Sequence, residues 1–177
     1  MAGTRICSII GRKDAGKTTL AVALSAEFAR RKRRVMTIKH ATHAAQMDTK
    51  GTDSWKHFHE GKAERVVLAC PEERYILERS KDDLDPVALA KRYLDGADIV
   101  LVEGFKAAPL PKVEIWRKEI KGKPLVLEPG AATDQWVALI SDDKSVQAPC
   151  RTLYVQDTMW MNILVDLIWD HAKVIAT

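Results

Sequence analysis

Short apolar runs alternate along the chain with segments whose apolar positions recur every three or four residues, the pattern of a sheet flanked by helices. Arg5 to Ile10 is rich in β-branched and apolar side chains, as a buried parallel strand requires. Lys17 to Arg31 follows as a helix, with Leu20, Leu24 and Phe28 at four-residue spacing on one face and Ala23 beside them. Val35–Lys39 predicts a second strand, followed by a polar loop around Gly51 and a helix from Asp53 to Glu60. Val66–Ala69 and Tyr75–Leu77 read as the short strands of a hairpin around Pro71. Pro86–Leu94 fits a helix with proline in its first turn and Asp85 as its cap. Asp98 to Gly104 contains the clearest interior strand, and Val113–Trp116, Leu125–Leu127, Trp136–Ile140 and Leu153–Val155 read as further strands. Asp157 or Thr158 is expected to cap a last amphipathic helix through Trp160, Leu164, Leu167 and Ile168. Neither a repeat nor a linker interrupts the pattern, so one α/β domain spanning 1–177 is expected.

Between the first strand and the first helix, Gly11 to Thr18 reads G-R-K-D-A-G-K-T, with Thr19 as a second hydroxyl. This is a phosphate-binding loop in its required context, strand before and helix after. Gly11 and Gly16 permit backbone conformations a side chain would forbid, so that successive N–H groups converge on phosphate oxygens from Arg12, Lys13, Asp14 and Ala15 onward. Lys17 carries a charge to the outer phosphates, the Thr18 hydroxyl suits a magnesium ion, and the helix adds the positive end of its dipole. The expected fold is that of a phosphate-loop nucleoside triphosphatase, and the expected ligand a nucleoside triphosphate.

Composition changes this picture little. Apolar residues make up 46% and charged residues 29%, which places the chain among ordinary globular proteins. No apolar stretch approaches the roughly 18 to 20 residues of a membrane span, and no signal-peptide core stands at the start, so a cytoplasmic protein is expected. Cys7, Cys70 and Cys150 are too widely spaced for a zinc motif and are read as reduced thiols. A net charge of +4 invites a nucleic-acid reading. The basic run Arg30–Arg34, however, falls where the first helix ends and its dipole favours cations, so nucleic acid is not the expected partner.

Two acids bracket the strand at 99–102, and geometry chooses between them. Ligands of such sheets sit beyond the carboxyl ends of the strands. At about 3.3 Å per residue, Asp98 lies some 16 Å from Glu103, on the opposite edge, so Glu103 is the candidate for the magnesium side and, with Lys17, for catalysis. The loop leaving the second strand brings Lys39, His40, His43, Asp48, Asp53 and Ser54 to the same edge. Lys39 and His40 are candidate ligand contacts, and Asp48 joins Thr18 and Glu103 as a candidate metal ligand, directly or through water. Asp53 is equally suited to starting a helix, and His57 and His59 to facing solvent from it.

The order G-R-K-D-A-G-K-T-T-L, I-K-H at Ile38 to His40, D-x-x-G-x-D-S at Asp48 to Ser54, V-E-G-F-K at Val102 to Lys106 and P-K-V-E-I-W-R at Pro111 to Arg117 resembles the molybdopterin-guanine dinucleotide biosynthesis adaptor proteins, the MobB family. The resemblance covers most of Gly11 to Arg117 and is weak beyond. It implies a GTP-binding homodimer with slow GTP hydrolysis that assists a separate molybdopterin guanylyltransferase, with Mg2+ and GTP as ligands and molybdopterin as a possible second one. The expected fold is a largely parallel sheet flanked by helices, with an additional β-hairpin or dimer-forming strands. Relatives often carry adjacent histidines and an acid after I-K-H, where this chain has His40-Ala-Thr-His43-Ala.

Guanine preference is not written in the residues, since the N-K-x-D base-reading motif is absent. Asp142, after the strand Trp136–Ile140, offers a carboxylate to guanine N1–H and the 2-amino group; an ordinary turn with two acids is the alternative. Arg12 lies five residues before Lys17, where related dimerising ATPases carry a signature lysine, so it reads either as a phosphate-directed charge acting across a dimer or as a surface arginine. Lys39, His40, Lys106, Lys112 and Arg117 are candidates for a phosphorylated pterin, with solvated charges and a dimer-forming strand as the alternative. An ATP-dependent small-molecule kinase or carboxylate-activating synthetase would use Lys17 and Glu103 in the same way.

Overall fold

The computed structural model describes residues 3–41, 48–80, 85–131 and 133–176. By its internal contacts the chain divides into two compact units, Met1–His40 with Leu84–Thr177, and Ala41–Asp83. In the first unit β1 (Thr4–Ile10), α1 (Lys17–Arg30) and β2 (Val35–Lys39) open the chain. The second unit holds α2 (Asp53–His59), β3 (Arg65–Ala69) and β4 (Arg74–Glu78). The chain returns to the first unit with α3 (Pro86–Tyr93), β5 (Ile99–Glu103), β6 (Lys112–Trp116), β7 (Trp136–Ser141), β8 (Arg151–Tyr154), α4 (Trp160–His171) and β9 (Lys173–Ile175).

The first unit is built on a seven-stranded sheet in the order β2-β5-β1-β6-β7-β8, with β9 also paired to β1. Every neighbouring pair is parallel except β1 with β9. Strand alternation sends Cys7 and Ile9 to one face, where Leu20, Leu24 and Phe28 of α1 and Leu164, Val165 and Ile168 of α4 cover them. Ile6 goes to the other face with Val100, Val102 and Ile175, under Ala90 of α3 and Leu110. Burial drives the Cys7 thiol up to about 12, with nearby Lys112 pulling the other way, so this sulfur is a core side chain and not a nucleophile. α3 begins as its sequence suggests, since the Asp85 carboxylate accepts hydrogen bonds from Val87 N and Ala88 N at 3.1 and 3.3 Å.

The basic run after α1 is tied down locally. Arg30 and Arg31 both pair with Glu27, Arg31 also pairs with Asp166 of α4, and Arg33 lies over the Trp169 ring, 4.1 Å from its centroid.

Two readings of the sequence are corrected, and one strand is added. Leu125–Leu127 is a 3-10 turn, not a strand. Leu125 N and Val126 N donate to the buried Glu114 carboxylate, and a strand ladder would compete for those groups. Neither Asp157 nor Thr158 caps α4: its N-cap is Met159 with no side-chain bond, and Asp157 pairs instead with Lys144 at 2.9 Å. The antiparallel β9 was unforeseen, being three residues long and directly continuous with a helix.

In the second unit β3 and β4 form the expected hairpin, closed by Cys70 N donating to Glu73 O at 2.8 Å. Thr52, not Asp53, is the N-cap of α2. Val67 faces Ile76 on one side of the hairpin and Leu68 faces Tyr75 on the other, with exposures of 57, 53, 40 and 40%, so both faces present apolar side chains to solvent.

Phe28 of α1 is fully buried in the core between the sheet and α4. Phe28→Ala should lower unfolding stability by about 3–5 kcal/mol, read from urea unfolding with an unchanged slope.

Candidate functional site

The loop after β1 folds around three unusual backbone conformations. Gly11 has φ 152°, and a Cβ there would stand 2.4 Å from the Ile115 carbonyl oxygen of β6, so only glycine lets the loop lie on that strand. Asp14 has φ 61°, and Gly16 at φ 97° begins α1, accepting from Leu20 N at 2.9 Å. Lys17 Nζ donates to Arg12 O at 2.7 Å, closing the loop on itself. The result is an open cleft of about 390 Å³ lined by Lys13, Asp14, Gly16, Lys17, Thr18, Thr19 and Glu103, at the amino end of a 14-residue helix. Ala15 is fully buried beneath it.

Sheet order brings the acid to the loop. β5 lies between β2 and β1, with Glu103 level with Lys39 on one side and Ile9 on the other. Thr18 Oγ1 consequently donates to Glu103 Oε1 at 2.7 Å, while Lys39 Nζ donates to Thr18 Oγ1 at 3.2 Å and stands 3.3 Å from Glu103 Oε1. A hydroxyl and a carboxylate side by side are hard oxygen donors, suited to magnesium. Asp98 stands at the amino end of β5, where its carboxylate accepts from Arg34 N at 2.8 Å. Asp48 belongs to the second unit, where its Oδ1 accepts from Thr49 N and Thr52 Oγ1 at 2.8 and 2.9 Å. His43 lies outside the described residues. Among the described residues no cluster of three or more His, Cys, Asp or Glu is arranged to hold a metal.

The motif residues around this cleft acquire distinct physical roles. Gly104, at φ 99°, passes so close to His40 that a Cβ would be 2.9 Å from the histidine's own Cβ. Phe105, itself at φ 52°, then stacks on the His40 ring with centroids 4.5 Å apart. Lys112 is not a solvated charge: it is buried, and its ammonium donates to Ala108 O at 2.7 Å, to Leu110 O at 3.1 Å and to Gln135 Oε1. With those three acceptors its donors are used up, which removes it from the residues available to a phosphorylated ligand. Arg117 turns toward the loop, its Nε donating to Ala15 O at 3.3 Å. Arg12 turns away along the opposite wall, donating through Nε to Lys123 O at 3.1 Å and pairing with Glu128. Lys106 stands 3.8 Å from the other oxygen of Glu128. Asp142 Oδ1 accepts from Lys118 N at 2.9 Å, tying together the turns that follow β6 and β7.

Glu114 is the residue that sequence reasoning left without a role. It is fully buried and accepts from Leu125 N at 2.7 Å and Val126 N at 3.0 Å. The signal was present in the alternation of β6, which puts Lys112, Glu114 and Trp116 on one face and Val113 and Ile115 on the other.

The family described as Molybdopterin guanine dinucleotide synthesis protein B, MobB, matches residues 6–142. A molybdopterin-guanine dinucleotide biosynthesis adapter protein of Haemophilus influenzae is 38% identical over 121 residues, 68% of this chain and 67% of that protein. The Escherichia coli K12 adapter protein is 29% identical over 146 residues, 80% of each chain. The crystal structure of Bacillus subtilis MobB superposes with a TM-score of 0.68 over 96% of this chain and 98% of its own, at 23% identity, a likeness of fold.

Burial raises the Glu114 carboxyl above the ordinary range, against the opposing pull of its two backbone donors. The native state therefore holds this proton more tightly than the unfolded chain, and the resulting stability is fully present below the ordinary carboxyl value and lost as pH rises through the folded one. The stability of the wild type relative to Glu114→Gln should thus shrink as pH rises from about 4 toward 8. Urea unfolding across that range measures it, and a difference that stays flat or grows would contradict the assignment.

Proposed function

The chain belongs to the MobB family, and on that footing we propose that it is a GTP-binding accessory protein of molybdopterin guanine dinucleotide biosynthesis, working beside the guanylyltransferase that transfers GMP. The observation that carries the nucleotide part is the seated phosphate loop with Thr18 and Glu103 2.7 Å apart at its edge. Lys17 is the mobile cation for the outer phosphates, and the start of α1 supplies oriented N–H groups and a positive dipole end. Thr18 and Glu103 are the residues to hold Mg2+, which when bound neutralises phosphate charge. Lys39, already in contact with both, adds a further charge beside that position. Glu103 and Lys17 also serve a slow GTP hydrolysis.

Guanine as the base comes from the family. The homodimer reading draws support from the hairpin of the second unit, whose exposed Val67, Ile76, Leu68 and Tyr75 are the kind of apolar surface that an interface covers. A cytoplasmic location accords with the described helices, none of which is long and apolar enough to cross a membrane.

Calorimetric titration with GTP and with ATP, each with and without Mg2+, tests the reading. Lys17→Ala should weaken GTP binding by at least about tenfold in a folded protein. Glu103→Gln should abolish the Mg2+ dependence that Asp98→Asn leaves intact, because Asp98 is engaged at the far edge of the sheet. Unchanged GTP affinity in folded Lys17→Ala would remove the nucleotide site, and preference for ATP would redirect the proposal to a kinase or synthetase.

A further inference from the structure

A second cavity, about 440 Å³ in volume, lies in the first unit against Ile10, Leu125 and Trp136, with Lys106 and Ala107 on one side and Glu128 to Ala131 on the other. By strand alternation Ile10 and Lys112 belong to the sheet face opposite α1, so this cavity is distinct from the phosphate cleft. Its volume falls within the range of small-molecule sites, and Ile10, Leu125 and Trp136 supply apolar surface beside the polar groups of Lys106, Lys112, Glu128 and Gln135.

Two of its features specify a ligand. The apolar floor, with an indole ring at Trp136, suits a flat heterocycle. The cation at the wall is Lys106: Lys112 is consumed by its three acceptors, whereas the Lys106 side chain is 64% exposed and only loosely paired with Glu128 at 3.8 Å. An anionic substituent on the ligand would meet that ammonium at little cost in broken contacts.

The same wall reaches the phosphate loop. Glu128 pairs with Lys106 through one carboxylate oxygen and with Arg12 through the other, and Arg12 follows Gly11 in the loop whose carbonyl Lys17 holds. An anion that draws Lys106 away leaves the Glu128 charge to Arg12, and a change of loop charge on nucleotide binding acts back along the same three groups. Such coupling is reciprocal by linkage.

We infer that this cavity is a second small-molecule site, taking a planar heterocycle that carries a phosphate group, and that the chain Arg12–Glu128–Lys106 couples it to the phosphate loop. The inference deepens the accessory reading, on which the choice of molybdopterin as probe rests. The full-length protein is titrated with molybdopterin, followed by tryptophan fluorescence and calorimetry, with and without saturating GTP. Lys106→Glu and Ala107→Trp should each weaken molybdopterin by at least about tenfold, and Ala107→Trp, which stands outside the phosphate cleft, should leave GTP affinity as it is. GTP should change molybdopterin affinity by about fivefold or more in the wild type and not at all in Glu128→Gln. Molybdopterin binding undiminished in both cavity variants would overturn the site while leaving the accessory reading in place. Loss of GTP coupling in none of the variants would overturn the three-residue link. A folded, GTP-competent wild type that binds no molybdopterin would overturn the site and the second-ligand part of the accessory reading together.

Discussion

The phosphate loop keeps its shape because β6 runs against it at a separation that admits no side chain on Gly11, where a Cβ would stand 2.4 Å from Ile115 O. From this seat much of the first unit's geometry follows. Ala15 is buried beneath the loop, Arg117 from just past the same strand donates to its carbonyl, and α1 starts from Gly16 in a fixed direction. β1 ends with its residues in register with β5, which delivers Glu103 to Thr18 without any loop having to reach for it.

The opposite face of β6 makes that seat stable, and it does so with charges. Burying an ammonium and a carboxylate on one short strand is costly unless every donor and acceptor finds a partner. Lys112 satisfies this with Ala108 O, Leu110 O and Gln135, and Glu114 with Leu125 N and Val126 N. Trp116 adds a bond from its indole Nε1 to Gly122 O at 2.9 Å. Each bond fixes a connecting segment whose apolar side chains, Leu110 before β6 and Leu125 and Val126 in the 3-10 turn after it, are buried as well. The charged letters of P-K-V-E-I-W-R are therefore largely architectural, and the loop-facing contribution is made by Ile115 and Arg117.

Legibility in the sequence tracked how local the determining interaction was. The loop glycines, the helix on Leu20, Leu24 and Phe28, the Asp85 cap and the β3–β4 hairpin are set by neighbours in sequence, and they were readable there. The place of Glu103 beside the loop was readable because strand direction decides which end of β5 lies at that edge of the sheet. The 3-10 turn at Leu125–Leu127 was not, since its apolar letters suit a strand and only the distant carboxylate of Glu114 makes it a turn. Lys112 was misread for the same reason: its carbonyl partners Ala108 and Leu110 precede it on a connection whose path depends on the sheet. β9 is held by pairing with Thr4, Arg5 and Ile6 at the far end of the chain, which no local pattern announces.

The central claim is that nucleotide held by this loop governs assistance to a partner enzyme. GMP transfer to molybdopterin by the purified guanylyltransferase, measured with GTP and Mg2+ in the presence of the wild-type chain or of Lys17→Ala, addresses it most directly. The account predicts stimulation by the wild type that is lost with the folded variant. Equal stimulation by both, or none by either, would contradict it.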